Sequence, residues 1–362
     1  MHTGKLLESR PWPFDLGMLT AGLRKKTKDL SLRIHEISEF PMALQLPAVG
    51  RLRGMEVVCE GEKGEQIFRL VVKEAHQVGN TRAATVSAGL RETLFYLQLG
   101  EQAPLVVPDF YAAGGDGSWL VLGYLDPGLN PHSWTAADYH LAVHNLTTLH
   151  DRFWGLGADL SIYPWLHKPL TSDFPLLVDI GRIAGEKLAE DGYLSRSFQP
   201  FESLLENLFS GVEDIAQELR TAPMCLIHGD YWPGNIHLAA SGVQTVFDWQ
   251  QVGIGPGILD LFRFMQNSLW KTGKLPVAAD ELAAVYRQDI KDATGKVWTD
   301  QEWQRLWDGV LLWEFLVNWL DVTTNTPRSL LEVTYPQEEA LWLRPTWEAA
   351  ERFFGMGRLG YE

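Results

Sequence analysis

Short apolar runs at strand spacing fill residues 31–125, and helical periodicity dominates most of the chain from residue 135 on. Gly54 to Gly61 and Gln66 to Glu74 are two β-rich runs joined by Gly61-Glu62-Lys63-Gly64, which composition reads as a hairpin. A helix pattern occupies Ala84 to Leu99, where Leu90, Leu94, Leu97 and the pair Phe95-Tyr96 predict one apolar face. Trp119 to Leu125 predicts a further strand, ended by the turn Asp126-Pro127-Gly128. Tyr139 to Trp154 predicts an amphipathic helix, and Phe201 to Arg220 another with Glu202, Glu206, Glu213 and Asp214 on its polar side. Two short apolar stretches around Ile227 and Val246 then predict strands flanking a polar loop, and residues 258–355 are helical again and rich in tryptophan. The fold class is α+β: a small β-rich part, residues 1–125, and a larger, mostly helical part, residues 126–362. No internal repeat or low-complexity tract interrupts it.

Composition narrows the function classes. Of 362 residues, 46% are apolar and 21% charged, the profile of an ordinary soluble globular chain. A net charge of −15 argues against a nucleic-acid surface, which needs a basic stripe. Cys59 and Cys225 sit in apolar runs and predict buried free thiols rather than a disulfide framework. Met1 to Phe14 holds no apolar core of signal-peptide length, and the most apolar helix candidate, Val310 to Val322, is interrupted by Glu314, Asn318 and Asp321. The expectation is a cytoplasmic protein without a membrane span. The ten histidines do not approach zinc-ligand spacing, apart from weak pairs such as His144 and His150.

The chemistry concentrates in Leu226-Ile227-His228-Gly229-Asp230-Tyr231-Trp232-Pro233-Gly234-Asn235-Ile236 and in Val246-Phe247-Asp248-Trp249. Phosphoryl transfer from a nucleotide needs such a set: one carboxylate for the attacking hydroxyl, and an amide with a second carboxylate for Mg²⁺. Hard cations prefer these oxygen donors. Upstream, Lys73 closes the aliphatic run Phe68-Arg69-Leu70-Val71-Val72, where an ammonium is costly to bury unless paired. Glu92, in the following helix, is the candidate partner.

The spacing His-Gly-Asp-x-x-x-x-Asn, followed by Asp248, resembles the aminoglycoside phosphotransferase and choline kinase group of small-molecule kinases. That resemblance implies a two-lobed protein-kinase-like fold, with residues 1–125 as N-lobe and 126–362 as C-lobe. It implies Asp230 as catalytic base, and Asn235 and Asp248 as Mg²⁺ ligands. Lys73 and Glu92 would hold the nucleotide phosphates, and the strand end at Gly123, Tyr124 and Leu125 would meet the base. His228 and Asp260 would be supporting, hydrogen-bonding residues. Two features depart from the pattern. No Gly-x-Gly-x-x-Gly covers the phosphates, so the covering turn is expected within Phe40 to Gly50. Gln250 stands where many relatives carry an acid, a version nearer the ecdysteroid-kinase-like branch.

The function read from this sequence is an ATP- or GTP-dependent, Mg²⁺-requiring kinase that phosphorylates a hydroxyl of a small molecule. The alternatives are an atypical protein kinase, a nucleotide-binding module without catalysis, or a hydrolase. Trp249-Gln250 in place of Phe-Gly and the lack of an Ala-Pro-Glu segment weigh against the first. The intact Lys, Asp, Asn, Asp set weighs against the second, and the lack of a Gly-x-Ser-x-Gly elbow against the third. The acceptor classes open to such a kinase are aminoglycosides, amino alcohols, sugars and lipophilic alcohols. Trp303, Trp307, Trp313 and Trp319 fall in one candidate helix, Asp300 to Val322, and core packing explains most of them. Arg263, Asn267 and Trp270 are candidates to line an acceptor site. No motif speaks to oligomeric state.

Overall fold

The computed structural model describes residues 11–42, 51–74 and 87–355. The chain divides into two compact units. The first comprises the residues up to Gln102 with Val106–Gly128 and Thr245–Gln250; the second comprises Ala103–Leu105, Leu129–Gln244 and the residues from Gln251 on.

In the first unit, helix α1 (Leu16–Thr27) precedes strands β1 (Arg33–Phe40), β2 (Arg51–Gly61) and β3 (Gly64–Glu74). Helix α2 (Ala88–Gln98) and strands β4 (Phe110–Ala113) and β5 (Trp119–Gly123) follow. The five strands form an antiparallel sheet in the order β1-β2-β3-β5-β4. The anticipated hairpin is present, closed at the pair Gly61 and Gly64. Alternation along the strands sends Met55, Val57, Cys59, Leu70, Val72 and Val121 into one core, capped by Leu19 and Leu23 of α1. The same pleat turns Lys73 to the opposite face. Helix α1 was not anticipated, because Lys25, Lys26 and Lys28 mask its short apolar stripe.

The face expected on α2 is present in part: Phe95 and Tyr96 are buried as expected, but Leu97 is exposed and the charged Arg91 and Glu92 are buried. An apolar-moment reading cannot choose this face, because its occupants include two charges satisfied elsewhere in the unit. The covering turn expected in Phe40 to Gly50 falls, from residue 43 on, outside the described residues.

The second unit is mostly helical. Helix α3 (Ala136–Arg152) begins with a capping box between Thr135 and Asp138. The single helix expected over Phe201 to Arg220 is two, Phe201–Ser210 and Val212–Arg220. The break falls at Gly211, where a Cβ would sit 2.2 Å from the Phe354 ring, so a larger residue there would have to displace that ring. Strand β6 (Met224–Ile227) leads into the polar loop, β7 (Ile236–Leu238) leaves it, and β8 (Gln244–Val246) precedes Asp248. β9 (Gly253–Pro256) pairs antiparallel with β6. The tryptophan-rich helix runs Asp300–Glu314 and then loosens into a π-helical turn at Phe315–Trp319. Trp303, Trp313 and Trp319 are buried there, as core packing predicts. Among the described residues no helix is long and apolar enough to cross a membrane.

Candidate active site

Lys73 Nζ lies 2.7 Å from Glu92 Oε2 and 2.8 Å from Asp248 Oδ1. The three residues all belong to the first unit, although 175 positions separate Lys73 from Asp248 in sequence. Strand β3 supplies the lysine on the face opposite Val72, and α2 presents Glu92, which is 1% exposed. Burial works against the Lys73 ammonium, yet Glu92 and Asp248 outweigh it and hold its pKa above the ordinary lysine value. Burial pushes the Glu92 carboxyl up, Asp248 pushes the same way, and Lys73 and the Gln250 side chain pull it back. Glu92 makes no well-aligned hydrogen bond, so its contact with Lys73 is an ion pair.

The segment carrying Asp248 is fixed to α2. Asp248 has φ +64°, a left-handed conformation that aspartate tolerates better than most residues. On its C-terminal side, Trp249 stacks on Phe95 with ring centroids 3.9 Å apart and planes 10° from parallel. Trp249 Nε1 donates to the Val246 carbonyl at 3.2 Å, and Arg91 donates to the Gln250 carbonyl at 2.7 Å. These contacts leave the Asp248 side chain a third exposed while its neighbours are anchored.

At the end of β5, the Gly123 N–H donates to the Asp109 carbonyl at 2.7 Å and the Tyr124 N–H to the Arg69 carbonyl at 3.0 Å. Those two donors are committed within the sheet. The Tyr124 ring meets Phe40 edge-on, with the Arg69 guanidinium 4.5 Å from both rings.

The second unit holds the other predicted residues. Asn235 donates to the Asp230 carbonyl at 2.8 Å and to its carboxylate at 2.7 Å, so both amide hydrogens face Asp230. Asn235 Oδ1 is then the atom suited to a cation. Gly229 takes φ +84°, and a Cβ there would meet the Gln251 carbonyl at 2.1 Å, so the turn before Asp230 requires glycine. Asp260, fully buried, accepts from the His228 N–H at 2.7 Å and the Gly229 N–H at 2.8 Å, with His150 Nε2 at 3.4 Å. Burial raises the Asp260 carboxyl, but the His150 hydrogen bond and the charges of His150, His228 and Arg263 leave it below the usual aspartate range. His228 Nδ1 accepts from the Asp230 N–H at 3.2 Å.

Sequence reading missed Arg263 as part of this loop. Its guanidinium forks onto Glu314 (3.0 and 2.8 Å) and donates to the Gly229 carbonyl. Trp270 likewise does not stand open, since its indole N–H donates to Glu338. Asn267 is buried. Both cysteines are buried free thiols, and burial pushes the Cys225 thiol far up, which removes it as a nucleophile. Among the described residues no three His, Cys, Asp or Glu side chains gather into a metal cage.

Residues 60–298 match the model of the phosphotransferase enzyme family, a span that covers well over half of the chain and includes every predicted site residue. The chain belongs to this family. It is a phosphotransferase by family, and three solved structures share its fold. An aminoglycoside phosphotransferase from Alicyclobacillus acidocaldarius superposes with a TM-score of 0.52 at 12% identity, covering 96% of this chain and 97% of that one. The amicoumacin kinase hAmiN gives 0.51 at 14% identity, with 94% of each chain covered. An ethanolamine kinase from Plasmodium vivax gives 0.53 at 11% identity, covering 88% and 83%. No curated protein matches the chain. The protein-kinase-like α+β fold of the phosphotransferase is thus shared with kinases of unlike acceptors.

Proposed function

We propose that this phosphotransferase moves the γ-phosphoryl group of ATP (or GTP) to a hydroxyl of a small molecule. The observation that carries the reading is the Lys73 ammonium held by Glu92 and Asp248 in one unit of a family-matched chain. A buried lysine pinned by two carboxylates stays cationic at neutral pH and offers a fixed positive charge to phosphate oxygens. Support also comes from the amicoumacin kinase, whose structure is a complex with AMP-PNP, Ca²⁺ and Ami.

In this reading Lys73 binds the phosphates and Glu92 aims it. Asn235 and Asp248 carry the oxygen donors that suit Mg²⁺, and a bound Mg²⁺ supplies neutralisation of phosphate charge. Asp230 orients the acceptor hydroxyl and takes its proton as the oxygen bonds to the γ-phosphorus. The bond from that phosphorus to the β-phosphate bridging oxygen breaks, and the nucleoside diphosphate leaves. Gly123, Tyr124 and Leu125 meet the base through backbone groups other than the Gly123 and Tyr124 N–H groups, which are engaged by the Asp109 and Arg69 carbonyls. His228 and Asp260 brace the loop.

The acceptor classes are aminoglycosides, amino alcohols, sugars and lipophilic alcohols. A nucleotide-consumption screen with Mg²⁺ across these classes tests the function. Asp230→Ala is expected to lower kcat by about 10²–10⁴-fold with nucleotide affinity nearly intact. Consumption in no class, or equal loss of turnover and nucleotide affinity in the variant, overturns the reading.

A further inference from the structure

Besides the Asn235 amide, which holds its carboxylate and carbonyl, Asp230 is directed by the peptide that joins it to Gly229. The Gly229–Asp230 peptide has its N–H end on His228 Nδ1 and its carbonyl end on Arg263. Gly229, at φ +84°, has no side chain to resist rotation about its backbone bonds. The preceding N–H groups are fixed by Asp260, but the carbonyl that faces the other way is not. Arg263 fills that place. Its side chain is 14% exposed, and Glu314, 1% exposed, takes two of its N–H groups in a bidentate fork. Asp230 is also among the charges that favour the protonated guanidinium. Without Glu314 the arginine would be a buried cation beside the catalytic carboxylate, able to pair with it and cancel it. Glu314 sits at the last helical position before the π-turn Phe315–Trp319, a kind of irregularity that recurs at functional positions.

We propose that Arg263, aimed by Glu314, is a positioning residue of the transfer step: it locks the Gly229 carbonyl and thereby the direction of Asp230, while Glu314 keeps the arginine off that carboxylate. The inference rests on the kinase reading above and adds to it a residue pair outside the motif.

The test uses the full chain with Arg263→Met, Arg263→Lys and the double variant Arg263→Met/Glu314→Met. Arg263→Met alone strands a buried carboxylate and is expected to lose stability; the double variant removes both charges and recovers it. A purely structural pair would recover turnover together with stability. Positioning predicts otherwise. With Mg²⁺-ATP and the acceptor found in the screen, the double variant stays about a hundredfold down in kcat with nucleotide KM unchanged. Arg263→Lys, which lacks the fork, recovers only part. Amide exchange at His228, Gly229 and Asp230 speeds up in the double variant, while the β2–β3 hairpin exchanges as in the wild type. Recovery of kcat in the double variant, or unchanged exchange at the three loop amides, overturns the proposal alone. A wild-type chain that consumes no nucleotide overturns the kinase reading and the proposal with it.

Discussion

Lys73→Met removes one ammonium from two carboxylates and keeps the length of the side chain. At 2.7 and 2.8 Å, each contact is worth about 6 kcal/mol of gross attraction at an effective dielectric near 20. Most of that is offset by taking the ions out of water, which costs several kcal/mol per buried ion. The Asp248 share is screened further, because that side chain is a third exposed. The variant leaves Glu92 unpaired, fully buried beside a second carboxylate. Stranding one member of a buried pair costs about 3–5 kcal/mol, and protonation of Glu92 sets the ceiling. The deficit therefore depends on pH. A carboxyl already raised by burial rises further without the lysine, so the deficit is smallest near the unfolded glutamate pKa of about 4.3. It grows as pH climbs through the folded-state value. In the wild type Lys73 is raised, so its own contribution persists to about pH 10.4 and is lost only above. Urea unfolding of wild type and variant between pH 5 and 8 measures the gap. Lys73→Met/Glu92→Met, which leaves only the hydrated Asp248, should recover most of it. An equal midpoint at pH 7.5, or a deficit that does not change with pH, refutes the reasoning.

Three more outcomes are expected from the same geometry. Gly229→Ala must place a Cβ 2.1 Å from the Gln251 carbonyl at positive φ, so the loop shifts; more than about 1 kcal/mol of stability and most of the turnover should go, read by thermal unfolding and kcat. Asp260→Asn sets an amide N–H₂ against one of the two backbone N–H groups, leaving it without an acceptor, and should cost about 1–3 kcal/mol at pH 7. Because the Asp260 carboxyl is lowered, that gap is complete above about pH 3.9 and closes only as pH falls through the folded value, which denaturation at pH 7 and pH 3 checks. Gln250→Glu sets a third carboxylate against Glu92 and Asp248, so the variant should lose stability progressively above about pH 5, measured as a midpoint that falls with pH more steeply than that of the wild type.

The loop spacing, the strand lysine and the helix glutamate were legible because each lies in a short local pattern. His228-Gly229-Asp230 and Asn235 share one turn, and Lys73 sits at a register that only pairing explains. Arg263 and Glu314 were not legible. They lie 51 residues apart on two helices, so Arg263 reads alone as a candidate acceptor-site residue and Glu314 as a charge that interrupts an apolar run. The burial of Arg91 and Glu92 on α2 escaped for the same reason. A charge counts as polar in any periodicity, and its burial depends on a partner the pattern does not contain. Phe95 was read as apolar, but its stack on Trp249 came from a segment more than 150 positions away.

By itself the sequence determined the α+β order of elements and the hairpin, and it named the side chains proposed to meet a phosphate, a cation or a proton. Those are local properties: strand alternation, turn glycines and the chemistry of a few spaced residues. The tertiary structure alone decided that Lys73 is held by Glu92 and Asp248 together, that Asp260 takes two loop amides, and that Arg263 faces the Gly229 carbonyl. Such partnerships are settled by burial. Each charged or polar group, once removed from water, must find its counterpart wherever the packed chain brings one within reach.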